Sequence, residues 1–286
     1  MEKILVIGGT GNIGFPLIQY LQDKDVAIVA GTHNPKHAQQ KFQGMGNIEL
    51  CHFDFLDPST FEKAFDGVSK VFFVRPPQLA DPKHDMLPFL KFAKQKQVKQ
   101  VVFISLLGVE KNPMTPHHKI ERMILDLKIP YTFIRPSFFM QNLNTTHLED
   151  IKKSHDLFIP AGNSRTSFID TRDIAETAGI VLLNDQYLNQ KLNITGPVAL
   201  SYFEIANIMT QILDTKITYS KPSLLKFRKT MLKRGTKKEF VNVMVMLYLI
   251  TQLGNAKKVT NTLSKVLGHS PRTIEDYVRD YQDVFI

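Results

Sequence analysis

The stretch Ile4-Leu5-Val6-Ile7-Gly8-Gly9-Thr10-Gly11-Asn12-Ile13-Gly14 decides the fold. Four aliphatic residues make a short buried strand, glycines follow at 8, 11 and 14, and Phe15, Leu17, Ile18 and Leu21 then recur at a helical period. A strand, a G-x-x-G-x-x-G turn and a helix in immediate succession form the first half of a βαβ unit. Glycine suits the tight turn, lets the backbone approach a pyrophosphate and lets helix and strand pack closely. The helix N-terminus adds free N–H groups and the positive end of its dipole. Any tight βα turn can carry such glycines, but here they follow the first strand and open a helix, the setting a dinucleotide loop requires.

Downstream the alternation continues. Val26–Ala30, Ile48–Phe53, Val71–Val74, Val101–Ile104 and Tyr131–Ile134 are continuous apolar runs, as in strands buried on both faces of a parallel sheet. Phe61–Phe65, Pro88–Gln97 and Lys119–Leu127 fit the intervening helices. The pattern predicts an α/β fold with a doubly wound parallel sheet of Rossmann type. After Arg135-Pro136 strands become sparse (Leu157–Ile159, Phe168-Ile169, Leu192–Thr195, Ile217–Tyr219) and helices dominate at Thr171–Leu183, Tyr202–Leu213 and Lys237–Leu253. The expected division is a dinucleotide-binding domain at 1–136 and a smaller, mainly helical substrate domain at 137–286, with some segments free to return to the sheet.

The composition of the 286 residues, 43% hydrophobic and 22% charged, excludes collagen-like, mucin-like and disordered classes. The lone Cys51 cannot form an internal disulfide, which fits a reducing cytosol. The apolar run after Met1 is too short for a signal peptide, and Val243–Ile250 is far short of a span. A cytoplasmic protein with no membrane partner is expected. The net charge of +9 is local: residues 216–238 hold nine basic side chains and no acid, and the remaining 27 basic residues balance 27 acidic ones. Apolar positions Leu224, Leu225, Phe227, Met231 and Leu232 interleave with those cations, as on a solvated amphipathic helix. Nucleic acid is disfavoured because no nucleic-acid fold motif accompanies the patch. An acidic substrate or protein partner is the alternative.

The end of the second strand selects the dinucleotide. An NAD site places Asp or Glu there, whereas cations accept a 2′-phosphate. Here the sequence reads Ala30-Gly31-Thr32-His33-Asn34-Pro35-Lys36-His37, without an acid. His33 and Lys36 are candidates for the 2′-phosphate, so NADPH is favoured, with NADH as the alternative.

At this point the residues resemble a known family. The glycine loop, His52-Phe53-Asp54-Phe55-Leu56-Asp57-Pro58, Phe72-Phe73-Val74-Arg75-Pro76-Pro77, Val102-Phe103-Ile104-Ser105, Pro130 to Leu143, Ile169 to Ala175 and Ile194-Thr195-Gly196-Pro197 are similar to NmrA-like proteins, a branch of the atypical short-chain dehydrogenases. That family includes NADPH-dependent quinone reductases and cofactor-binding redox regulators. The resemblance implies Asp54-Phe55 over the adenine and Arg75-Pro76-Pro77 beside the cofactor. It also implies Ser105 and Pro136 near the nicotinamide, with Phe138, Phe139 and Asn142 lining a pocket for a planar aromatic substrate. Asp57 before Pro58 reads as a helix cap.

The chain departs from the wider dehydrogenase pattern in its acid. No Tyr with a Lys four residues later follows Ser105; the segment there is Lys111-Asn112-Pro113-Met114-Thr115-Pro116-His117-His118-Lys119. His117 or His118 is left to deliver a proton and Lys119 to stabilise negative charge on the acceptor, unless the histidines merely face solvent at a helix start. No metal-ligand spacing and no Gly-x-Ser-x-Gly elbow occurs. Two functions are therefore expected in competition. One is hydride transfer from NADPH to a quinone or similar electrophilic small molecule. The other is a non-catalytic redox sensor that binds the dinucleotide and docks on a protein partner.

Overall fold

The computed structural model describes residues 1–46 and 48–286. The chain divides into two compact units, Met1–Pro136 with Thr171–Asn193, and Ser137–Asp170 with Ile194–Ile286. It leaves the first unit after Pro136, returns for one helix and most of one strand, and leaves again.

The first unit runs β1 (Glu2–Ile7), α1 (Gly14–Gln22), β2 (Val26–Thr32), α2 (Pro35–Lys41), β3 (Ile48–His52), α3 (Phe61–Ala64), β4 (Lys70–Val74), α4 (Pro82–Asp85), α5 (Leu87–Gln95), β5 (Gln100–Ile104), α6 (Pro116–Asp126) and β6 (Tyr131–Pro136). The returning segment supplies α8 (Thr171–Leu183) and β9 (Gln190–Ile194). The seven strands lie in the order β3-β2-β1-β4-β5-β6-β9, and β1 to β6 pair in parallel. This is the doubly wound order in which a ligand sits outside the carboxyl ends of the strands, where the order reverses at β1.

The continuous apolar runs are explained by helices on both faces. On one, Leu5, Val71, Phe73, Phe103 and Phe133 share a core with Phe61, Phe89, Leu90, Ile120 and Ile124. Phe73 stacks on Phe103 at 4.7 Å, and Phe89 meets Phe53, Phe55 and Phe73 edge-on. Each such burial stabilises by about 1.5–3 kcal/mol. On the other face α1 packs on α8, where Gly179 leaves room for a ring: an added Cβ would lie 2.2 Å from Tyr20. The buried Lys70 holds the returning helix, donating from Nζ to the Leu182 carbonyl at the end of α8 (2.7 Å) while pairing with Glu2 and Asp185. A cation there also complements the negative helix end.

The second unit holds β7 (Phe138–Phe139), α7 (Leu148–Ser154), β8 (Arg165–Ile169), β10 (Ala199–Ser201), α9 (Tyr202–Leu213), α10 (Leu224–Lys233), α11 (Lys238–Gln252), α12 (Thr262–Leu267), α13 (Ile274–Asp280) and α14 (Gln282–Phe285). β8 pairs antiparallel with β10 and parallel with β7. The strands expected at Leu157–Ile159 and Ile217–Tyr219 are not formed. Those segments meet only in an isolated bridge between Asp156 and Thr218, too short for a ladder, and their apolar side chains enter the helical core instead.

Candidate functional site

The glycine turn is held by its own backbone. Gly8 takes φ +79° and its N–H donates to the Gly31 carbonyl on β2 at 3.0 Å. The Gly8 carbonyl accepts from the Gly11 N–H at 2.9 Å, and Phe15 N–H donates to the Gly11 carbonyl at 3.1 Å. Gly14 closes the turn from above: a Cβ there would lie 2.2 Å from the Gly8 oxygen. A Cβ at Gly11 would meet only that oxygen, at 3.2 Å, and otherwise open space. The two glycines therefore do different work, Gly14 for backbone packing and Gly11 for access.

No side chain caps α1, whose N-cap is Ile13. Among the described residues the amides of Asn12, Ile13 and Gly14 donate to no backbone carbonyl. They are the unsatisfied donors of a helix start, aimed as an anion requires. Beside them stands a cation that sequence reasoning missed. Lys41, at the end of α2, donates from Nζ to the Thr10 carbonyl at 2.7 Å and lies 4.6 Å over the Phe15 ring. Only the fold brings it to the loop, so no local spacing signals it.

At the end of β2, Asn34 caps α2 by accepting from the His37 N–H, and Lys36 is exposed in the first helical turn. His33 Nδ1 lies 3.6 Å from Asp54 Oδ2, so the two flank one edge, and Asp54 Oδ1 also accepts from the Leu56 N–H at 2.8 Å. Asp57 caps the following turn through the Ser59 N–H, and the Ser59 hydroxyl, with that N–H, holds its carboxyl below the usual range. Phe55 corrects an expectation: its side chain is 4% exposed among Phe53, Phe73 and Phe89. It belongs to the core, which leaves only its backbone to face an adenine.

Farther along the same edge, Arg75 folds back on its own loop, donating from one Nη to the carbonyls of Pro76, Pro77 and Leu79 at 2.8–3.1 Å. Burial lowers its pKa, with Asp85 acting against that shift. Ser105 follows β5, is 3% exposed, and its buried Oγ has no hydrogen-bond partner among the described residues. A buried hydroxyl without a partner is costly unless a ligand supplies one.

Thr115 caps α6 with Pro116 in its first turn, which sets His117, His118 and Lys119 at a helix start. The histidines do not simply face solvent. The half-buried His117 ring stacks on Phe103 with centroids 6.0 Å apart. Burial, and secondarily the charge of Arg75, pushes its pKa down to about 3. It is therefore neutral near pH 7 and not poised to ionise there as its intrinsic pKa suggested. The neutral ring retains one N–H to donate as a hydrogen bond. His118 Nδ1 sits 3.1 Å from the Val109 carbonyl, which fixes the Nδ1–H tautomer and ties that ring to the loop. Lys119 is exposed. Pro136 ends β6, fully within the first unit, whereas Phe138, Phe139 and Asn142 lie half-buried in the second.

Residues 1–278 match the model of the NmrA-like family. An uncharacterized oxidoreductase, YesF, of Bacillus subtilis is 30% identical over 279 residues, covering 96% of this chain and 94% of its own. An NAD(P)H azoreductase of Xenophilus azovorans is 27% identical over 288 residues, covering 99% of both. Among solved structures, an NADPH-dependent quinone oxidoreductase of Escherichia coli, in complex with NADPH, superposes with a TM-score of 0.87 at 23% identity. That superposition covers 97% of this chain and 99% of the other, a likeness of fold.

Proposed function

The chain belongs to the NmrA-like family, and from that premise we propose that it is an NAD(P)H-dependent oxidoreductase. In this reading NADPH is the favoured donor and a quinone or a similar conjugated electrophile the acceptor. The observation that carries the reading is the open glycine turn: a backbone cradle only glycine permits at position 14, free amides at the start of α1, and Lys41 beside them. Such a site suits a pyrophosphate. The lack of an acid at the end of β2, with His33, Lys36 and Lys41 at hand, suits a 2′-phosphate. The azo-compound relative supports a planar acceptor, for which Phe138, Phe139 and Asn142 remain the assigned wall.

The nicotinamide would supply the hydride, and the chain's residues would bind and orient. Gly8, Thr10, Gly11, Asn12, Ile13 and Gly14 hold the diphosphate, and Asp54 borders the adenosine half. The Ser105 hydroxyl is free to take a polar group of the ligand, the neutral His117 ring donates a hydrogen bond, and Pro136, at the carboxyl end of β6, is assigned beside the nicotinamide. With no tyrosine acid and a neutral ring at 117, protons on the reduced acceptor come from water, while the exposed Lys119 is placed to stabilise negative charge developing on it. That suits acceptors whose reduced oxygens or nitrogens need no strong acid.

The test is NADPH oxidation by the purified protein with a panel of quinones and azo dyes, run against NADH. Turnover well above the uncatalysed rate is expected, with NADPH preferred. The missing strong acid favours one second reading, a cofactor-binding sensor that acts through a protein partner. A flat trace across the panel, together with a large affinity difference between oxidised and reduced cofactor, would select it.

A further inference from the structure

The charge asymmetry of the chain is larger than the 216–238 stretch alone. Residues 215–274 contain thirteen Lys and Arg and a single acid, Glu239. This region is net +12 in a chain of +9, so the rest is net negative. The same region carries an uncovered apolar helix. From Phe240 to Leu253 the only polar side chains besides the Tyr248 hydroxyl are Asn242, Thr251 and Gln252. Val241, Met244, Tyr248 and Thr251 pack inward. Phe240, Val243, Met246, Leu247 and Leu249 on the outer arc of α11, with Leu253 at its end, are 42–70% exposed. A helix that is apolar all round is normally buried, and a patch of this kind marks an interaction surface.

The cations frame that arc. Exposed lysine pairs bracket α11 at both ends, Lys237-Lys238 at its start and Lys257-Lys258 after it, and α10 packs alongside with Lys226, Lys229 and Lys233 exposed. The two arginines of the hairpin are committed elsewhere, Arg228 to Asn242 and Arg234 to Asp150. What remains free is lysine, a mobile point charge on an apolar stem, and not the planar fork that reads carboxylates on a folded partner. We propose that the outer face of α10 and α11 docks on an anionic lipid bilayer, with the apolar arc in the headgroup boundary and the lysines against the lipid phosphates.

The chemistry matches an interfacial helix, in which apolar burial and attraction to anionic lipid add. No helix among the described residues is long and apolar enough to cross a membrane, so the contact is with the surface. A second copy of this chain is a poor occupant, because pairing would bring two regions of net +12 together.

The test is co-sedimentation of the full chain with vesicles of phosphatidylglycerol and phosphatidylcholine, compared with phosphatidylcholine alone, at low and high salt. Binding is expected only with the anionic lipid, weakened by salt, and about tenfold or more weaker in the double variant Met246→Glu/Leu249→Glu. Both positions are exposed, so an unchanged melting curve shows that the variant is folded. Failure to sediment with anionic vesicles overturns the proposal, and so does sedimentation that the double variant does not weaken. A dimer in sedimentation velocity that the same variant dissociates would assign the face to a second copy. Equal binding to soluble polyglutamate, lost in the same variant, would assign it to an acidic protein; either result overturns the lipid assignment.

Discussion

Two segments leave the carboxyl edge of the same parallel sheet, the glycine turn after β1 and the histidine turn between β5 and α6. In the first, the turn is closed mainly by its own backbone, Gly8 to Gly11, Gly11 to Phe15 and Gly14 against the Gly8 oxygen, with the Gly31 carbonyl and the Lys41 ammonium as contacts from outside. In the second, the chemical state of His117 is set from outside, first by burial, where its ring stacks on Phe103 of β5, and then by the Arg75 charge after β4. The difference teaches where spacing carries chemistry. Spacing specifies a turn that makes its own contacts, but not a side chain whose proton affinity depends on distant neighbours.

The strongest way to break the comparison is Gly14→Ala. Its Cβ would lie 2.2 Å from a backbone oxygen that cannot move without opening the turn. The expected cost is at least about 3 kcal/mol in urea unfolding, with loss of nucleotide binding. A variant of wild-type stability would show that the turn is not backbone-locked. Gly11→Val separates access from packing, because its side chain meets mostly open space. It should keep the melting midpoint within a few degrees while NADPH binding, followed by nucleotide fluorescence, disappears. Retained affinity in the folded variant would remove the dinucleotide assignment.

How much of the molecule was legible follows the same division. The strand–helix alternation, the helices Thr171–Leu183 and Tyr202–Leu213, and the glycine turn could be read because each rests on periodicity or on backbone rules. The segments Leu157–Ile159 and Ile217–Tyr219 misled because short apolar runs look alike in a strand and in a core loop. Phe55 was misplaced because its neighbour Asp54 belongs to the edge while its own ring packs with Phe53, Phe73 and Phe89 in a cluster assembled from separate segments. Lys41 was missed because its partner, Thr10, is 31 residues away.

Lys41 tests whether the loop has outside help of the kind that governs His117. Lys41→Ala removes one charged contact and should weaken NADPH binding about tenfold, with NADH changed far less, in parallel titrations. An equal loss for both nucleotides would move Lys41 from the 2′-phosphate to the diphosphate. No loss for either would return it to a purely structural bond with Thr10.

The smallest expected effect is at His117, and it decides whether the second segment is understood. A pKa pushed down to about 3 means that the folded chain binds fewer protons at this ring than the unfolded chain between roughly pH 3 and 6.5. The ring's neutral form therefore favours folding fully above pH 6.5, and that contribution is lost as the pH falls toward 3. Catalysis should follow the same logic. The profile of kcat/KM should show no ionisation of His117 between about pH 5 and 8, and His117→Asn, which keeps an N–H donor, should lose only a few-fold in rate. Arg75→Gln should raise the ring's pKa in an NMR titration yet leave it below 6.5, because burial is the larger cause and remains. A rate that rises on acidification with an apparent pKa near 6.5, and loses that dependence in His117→Asn, would restore the imidazolium as the proton donor. The histidine turn would then be as readable from intrinsic residue chemistry as the glycine turn is from backbone geometry.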